Sequence, residues 1–399
     1  MHGRHIALFP LPSKGHINPF LGLCPELVRR GHRVSLVTDE LHAKLAIPAG
    51  AEPVIFETSK LSLTTSETNG LPASDPKRWE EVGRNFLPWH LNNAALAAWG
   101  LDRFYKENRP DLIIYEPEAY AARILARRLH SPAIQYYCDF VHPGRYFHWQ
   151  GGVGHNPPSI LEFSRLLDSF LSAYGFEEPN NLWHSEDLNF CAFPFEFQFD
   201  ANWIDSRRFC FVGPFLDRPF TPVWRNCSGG KRVILVSAVT GATDADYFTK
   251  FADALSASEY HVILSVGEHF PICEPLSLGR NVEINRYASH LEILPCTDLH
   301  FYSGGAGGTL EGCHFGVPLI ALPSVAHNHK VASRLAELGV ALNLPLHTLT
   351  QQAIRESVQA ALQDDAFLGR VEDMRRLIRG SGGSVMAADR IEEFLAGRA

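Results

Sequence analysis

Residues 299–323 read LHFYSGGAGGTLEGCHFGVPLIALP. An apolar run over 298–302 predicts a buried strand, four glycines follow (Gly304, Gly305, Gly307, Gly308), a helix is expected from near Thr309, and 318–322 reads as a second strand. The stretch is therefore a βαβ unit. Glycines between a strand and a helix let the backbone come close to a ligand, and the first-turn amides, lacking helical partners, point at it with the positive end of the helix dipole behind them. Such a site suits an anion, best a diphosphate.

The same rhythm extends on both sides. Strands are expected at 232–237, 261–266 and 282–285, with helices between them, and three helical stretches close the chain near 350–363, 367–379 and 385–395. Upstream, VGPFLDRPFTPVWRNCSGG (212–230) carries the Pro, Gly and Ser load of a linker. Ahead of it a second series begins: strand 5–9, turn 11–15, a helix from near Asn18 with Pro19 in its first turn and a kink at Pro25, then strand 33–38 after Gly31. Strand 111–115, helix 118–129 and strand 133–137 continue it. Residues 60–101 are polar and mixed, which suggests loops and helices laid over a scaffold. Phe193, Phe195, Phe197 and Phe199 alternate with period two and are assigned to one buried strand face.

With 399 residues the chain is long for one core, so two domains are expected. A net charge of −8 with no basic stripe argues against nucleic acid as a partner. No apolar run reaches the length of a membrane span and the start lacks a signal-peptide core, so a cytoplasmic protein is expected. The eight cysteines are scattered, without a C-x-x-C pair, and read as free buried thiols. P-loop, zincin and nucleophile-elbow motifs are absent, and SGGAGGT does not satisfy G-x-G-x-x-G, which disfavours ordinary NAD binding. Asp244 and Asp246 have the spacing of a metal pair but stand where a helix should start, so capping is preferred.

His16 follows the first strand and Glu116 follows the strand at 111–115. In an open parallel sheet both would face the crevice beyond the carboxyl ends of the strands, where ligands bind. One half with a histidine and a carboxylate, the other with an anion loop, suggests transfer from a phosphorylated donor to a nucleophile.

At this point the chain resembles a known family, the inverting nucleotide-sugar glycosyltransferases of family 1 that act on macrolides, other polyketides and plant phenolics. Gly15-His16-Ile17-Asn18-Pro19 is similar to that family's G-H-[IV]-N-P, whose His is the catalytic base, and Glu116 falls where the family carries the acid that holds it. Tyr287-Ala288-Ser289-His290-Leu291 resembles W-V-P-Q-L, which packs on the nucleotide base, and residues 303–312 resemble the H-[AG]-G-[AT]-G-[GS]-[ST]-x-E-[GA] donor motif, with Glu311 on the ribose. The resemblance implies an α/β chain of the GT-B class, two Rossmann-like doubly wound domains facing a central cleft. Residues 1–211 would bind acceptor, 212–230 link, 231–384 bind donor, and 385–399 return as a helix to the first domain. It also implies that His16, oriented by Glu116, deprotonates an acceptor hydroxyl, while the Gly307, Gly308 and Thr309 amides and the Thr240 hydroxyl hold the leaving diphosphate. Gly305 belongs to the same loop.

The donor would be a UDP- or dTDP-sugar, the acceptor an apolar small molecule, with no cofactor and no metal, in a monomer or homodimer. Departures from the family pattern cluster in the donor half. Ser303 stands where the family has His, Tyr287 where it has Trp, His290 where it has Gln and Val239 where it has Gly; His327 and Asn328 occupy the sugar-reading positions without the usual acid. These changes fit an unusual sugar, such as a deoxy or amino one. They also leave open a donor-site-degenerate, non-catalytic partner protein; a nucleotide-sugar epimerase is the third reading. A metal cluster of His314, His327 and His329 is disfavoured for want of a carboxylate.

Overall fold

The computed structural model describes residues 3–56, 76–141, 158–177, 181–199, 201–237, 245–267, 279–286, 289–324 and 326–398. The chain divides into two compact units, Met1–Pro219 with Ser381–Ala399, and Phe220–Gly380.

The first unit runs β1 (His5–Phe9), α1 (Lys14–Arg29), β2 (Arg33–Thr38), α2 (Glu40–Ala46), β3 (Glu52–Ile55), α3 (Pro76–Glu107), β4 (Leu112–Tyr115), α4 (Tyr120–Leu129), β5 (Ala133–Tyr137), α5 (Pro158–Ser172), β6 (Leu188–Cys191) and β7 (Phe209–Phe211). The strands form one parallel sheet in the order β3-β2-β1-β4-β5-β6-β7. Side chains alternate along β1, so Ala7 and Phe9 join Ile113, Tyr115 and the apolar faces of α3, α4 and α5 in one core. The strand order reverses between β1 and β4. A parallel sheet opens its binding crevice at such a point.

The short strands β3, β6 and β7 were not read from the sequence, and three expectations in this unit are corrected. Helix α1 starts at Lys14 rather than near Asn18, because Ser13 takes the extended N-cap geometry and its carbonyl accepts from the His16 and Ile17 amides. That places His16 in the first turn and Pro19 inside the helix. Residues 76–107, within and beyond the mixed region, form one 32-residue helix, α3; Gly83, Pro88 and Gly100 interrupt its pattern, yet Leu91, Ala94, Ala98, Leu101 and Tyr105 are buried at helical spacing. The phenylalanine run is not a strand: β6 ends at Cys191, Pro194 cannot extend a ladder, and Phe195–Phe197 is a single 3₁₀ turn. Phe193 and Phe197 stack at 4.8 Å in the interior while Phe195 turns outward.

The second unit contains β8 (Val233–Ser237), α6 (Ala245–Leu255), β9 (His261–Ser265), β10 (Val282–Asn285), α7 (His290–Ile293), β11 (Leu299–Tyr302), α8 (Ala306–Phe315), β12 (Leu319–Ala321), α9 (Ala326–Glu337), β13 (Ala341–Asn343), α10 (Gln351–Gln363) and α11 (Asp365–Gly380). Its parallel sheet has the order β10-β9-β8-β11-β12-β13, reversing between β8 and β11. Phe248, Phe251, Ile354, Val358 and Phe367 cover one face, and Ile293, Leu294 and Val317 pack on the other. β13, three residues long, was too short to read from sequence. The last helix, α12 (Gly383–Ala396), belongs to the first unit, where Arg30 of α1 reaches Asp389 at 2.6 Å and Glu392 at 3.0 Å.

No helix among the described residues is long and apolar enough to cross a membrane. Cys24, Cys191 and Cys313 are free and buried, but Cys227 and Cys296 are free and exposed, which corrects the expectation of uniformly buried thiols.

Candidate active site

In the first unit, β1 and β4 are neighbours in register, with Phe9 opposite Tyr115. The chain leaves both strands at one level, which brings the first turn of α1 to the residue after β4. There Nδ1 of His16 donates to Oε2 of Glu116 at 2.7 Å. Glu116 is fully buried, and the same oxygen accepts a longer bond of 3.4 Å from the Leu11 amide. His16 keeps 38% of its side-chain surface exposed, and with Nδ1 engaged Nε2 is the ring nitrogen left for another partner.

Electrostatics tighten the pair. Burial disfavours the imidazolium, but the Glu116 carboxylate, helped by Cys138, outweighs it and holds His16 well above its ordinary value. Burial likewise raises the Glu116 carboxyl, with His16 pulling the other way. A third group was missed in the sequence. Cys138 is the first residue beyond β5, as Glu116 is the first beyond β4, and its Sγ lies 4.0 Å from Nδ1 of His16. That shared position relative to neighbouring strands was the available signal. Burial first, and then Glu116, pushes the Cys138 thiol up to about 11, so it is a neutral S–H rather than a nucleophile.

In the second unit the glycine loop follows β11 at the β8/β11 reversal. Gly304 holds φ +77°, a left-handed conformation, and a Cβ there would meet the Asn328 carbonyl at 3.1 Å. Gly305, extended at φ −73° and ψ 153°, is the N-cap of α8. The helix thus begins at Ala306, three residues before the expected Thr309. Thr309 is a correction in a second respect: its amide closes the first turn onto the Gly305 carbonyl, and its fully buried hydroxyl shares a 2.7 Å bond with the Tyr302 phenol. Its amide and its hydroxyl are thus both engaged within the unit. The first-turn amides without intrahelical partners are those of Gly305, Ala306, Gly307 and Gly308, and a Cβ at Gly307 would meet nothing within 4 Å.

Glu311 lies on α8 and is buried, with Oε2 3.5 Å from Nδ1 of His290. His290 turns its other nitrogen to the Ser237 hydroxyl at 3.1 Å, and Ser237 in turn meets Nε2 of His300 at 2.7 Å. His300 is wholly buried, and desolvation, followed by His290, drives its pKa well below the ordinary value, so it is a neutral ring. Ser237 and His300 were not anticipated; a histidine inside the apolar strand LHFY was the signal. Ser303 is half-buried at the loop mouth, Asn328 is buried beside the loop, and His327 is exposed in the first turn of α9. Thr240, Tyr287, Ala288 and Val239 lie outside the described residues, as does Asp244. Asp246 sits in the first turn of α6 and pairs with Lys250 at 2.8 Å. Among the described residues, His16, Glu116 and Cys138 stand close enough together that they could hold a metal ion, and His314, His327 and His329 do not form such a group.

Residues 254–378 match the family described as erythromycin biosynthesis protein CIII-like, C-terminal domain. The NDP-glycosyltransferase YjiC of Bacillus subtilis strain 168 is 30% identical over 400 residues, covering 98% of this chain and 97% of that protein. The oleandomycin glycosyltransferase of Streptomyces antibioticus is 28% identical over 404 residues, 99% of this chain and 91% of its own length. Among solved structures, the calicheamicin glycosyltransferase CalG4 superposes with a TM-score of 0.84 at 28% identity, with complete coverage of both chains.

Proposed function

Since the chain belongs to the family 1 natural-product glycosyltransferases of the GT-B fold, we propose that it transfers a sugar from a UDP- or dTDP-sugar to a hydroxyl of an apolar small molecule, inverting the anomeric carbon without a metal ion. The observation that carries this reading is the His16–Glu116 pair at the reversal of the first sheet. With Nδ1–H engaged by the carboxylate, neutral His16 presents the lone pair of Nε2 to the acceptor hydroxyl. Glu116 keeps that tautomer and stabilises the imidazolium formed as the oxygen attacks the anomeric carbon. It acts on the reaction through His16, so it is a positioning residue.

The departing diphosphate gathers charge as the glycosidic bond to it breaks. The free amides opening α8, with the helix dipole behind them, supply fixed donors for that charge. Glu311, next to His290, is suited to the donor ribose, and His327 and Asn328 to the sugar. Similarity to the oleandomycin glycosyltransferase supports an apolar, polyketide-like acceptor.

Mass-spectrometric screening of nucleotide sugars against polyphenol and polyketide acceptors tests enzyme, donor and acceptor together. His16→Ala is expected to abolish transfer while UDP or dTDP affinity, read by calorimetry, stays nearly intact. Unchanged turnover removes His16 as the base. No nucleotide binding at millimolar concentrations sinks the enzymatic reading.

A further inference from the structure

The proposed base, in the first turn of α1, meets side chains from the carboxyl ends of the adjacent strands β4 and β5. Nδ1 of His16, a carboxylate oxygen of Glu116 and Sγ of Cys138 all lie within 4.8 Å of one another. Imidazole nitrogen, carboxylate oxygen and thiolate sulfur are the donors zinc takes in proteins, at about 2.0–2.3 Å each. A second observation concerns Glu116 itself. Its Oε1 is buried and makes no hydrogen bond among the described residues, although the residue is fully enclosed. A buried carboxylate oxygen without a donor is costly, and a cation satisfies it. The half-exposed His16 ring offers the way in.

We propose that His16, Glu116 and Cys138 form a binding site for a thiophilic divalent cation, Zn²⁺ or Cd²⁺, and that occupancy turns the base off. The cation bonds Nδ1, Glu116 and Sγ, with a water in the fourth position. The carboxylate binds through Oε1, the oxygen without a donor, and the 2.7 Å Nδ1–Oε2 hydrogen bond is given up as Nδ1 loses its proton. The thiol releases its proton to water. The ring loses the Nδ1 proton; a neutral ring takes one up at Nε2, and an imidazolium already has one there. In either case the metal holds the Nδ1 lone pair and Nε2 carries hydrogen. The atom that must accept the hydroxyl proton then has no lone pair in the ring plane. Inhibition rests on His16 being the base; metal binding does not.

The test uses the purified full chain, stripped with chelator and titrated with Cd²⁺ while the near-ultraviolet thiolate-to-cadmium absorption is followed. Wild type is expected to take up an additional thiolate-bound equivalent relative to Cys138→Ser, and His16→Gln to lose the same equivalent. The difference between variants separates this site from the other cysteines. Identical titrations for wild type and Cys138→Ser overturn the site. In the transfer assay Zn²⁺ should inhibit wild type reversibly by chelator, with Cys138→Ser needing about tenfold more zinc or beyond. Cadmium binding without zinc inhibition overturns the switch. Full turnover by His16→Ala would instead overturn the base assignment and leave the binding result standing.

Discussion

The phenol of Tyr302, at the end of β11, and the hydroxyl of Thr309, one turn into α8, share a 2.7 Å hydrogen bond inside the second unit. Both residues are buried. A threonine that the sequence motif assigns to phosphate is instead a clasp between the strand and the helix whose amides open the donor loop. Thr309→Val should destabilise the protein by about 1–3 kcal/mol, because it orphans a buried phenol. Nucleotide affinity at 25 °C should hardly change. Urea unfolding and calorimetry read the two effects separately, and a large affinity loss with unaltered stability would return Thr309 to the ligand set.

The His16–Glu116 pair predicts a shifted pH profile. Glu116 holds the imidazole above its ordinary value, so the rising acid limb of the rate profile should lie above the usual histidine range near pH 6.5. Glu116→Gln removes the attraction, and the limb should move to lower pH while the maximal rate falls through lost orientation of the ring. An unmoved limb would detach that titration from His16.

The same linkage bears on stability. A His whose folded value is raised binds its proton more tightly when folded. Its stabilisation is complete below the unfolded value near 6.5 and is lost as pH rises through the higher folded value. Thermal midpoints of wild type should therefore fall relative to His16→Gln across that interval. Parallel curves would show the pair contributes nothing to folding.

Gly304→Ala forces a side chain into a left-handed backbone at φ +77° and against the Asn328 carbonyl. The conformational cost alone is about 1–2 kcal/mol. Because the loop carries the first amides of α8, UDP binding should weaken along with stability. Denaturation midpoints that match wild type would refute the strained-loop account.

Ser303→His restores a cation-capable donor at the half-buried mouth of the loop. A charge-assisted bond to a phosphate is worth roughly 1.5–3 kcal/mol, so nucleotide affinity should rise about tenfold or more. His327→Asp should change donor-sugar preference with little effect on UDP itself. A preference that stays fixed would mean His327 does not read the sugar.

Much of the fold was legible because it rests on local patterns. Buried parallel strands read as short apolar runs, α8 was marked by its glycines, and His16 and Glu116 were found by their place just beyond strands. The interrupted helix α3 was hidden by Gly83, Pro88 and Gly100, whose cost its buried face outweighs. The phenylalanine run misled because period two also arises when a proline bends the chain and sends Phe195 outward.

Residue type and spacing were enough to set two α/β patterns, the family, and the strand beyond which His16, Glu116 and the glycine motif each fall. Which of those residues meet was settled by three-dimensional packing. Parallel strand pairing carried Glu116 100 positions along the chain to His16 and added Cys138 from the next strand, while the placement of α8 set Glu311 beside His290 and turned the Thr309 hydroxyl to Tyr302. Such contacts depend on the register of neighbouring strands and on the point at which a helix begins, and no local pattern encodes either.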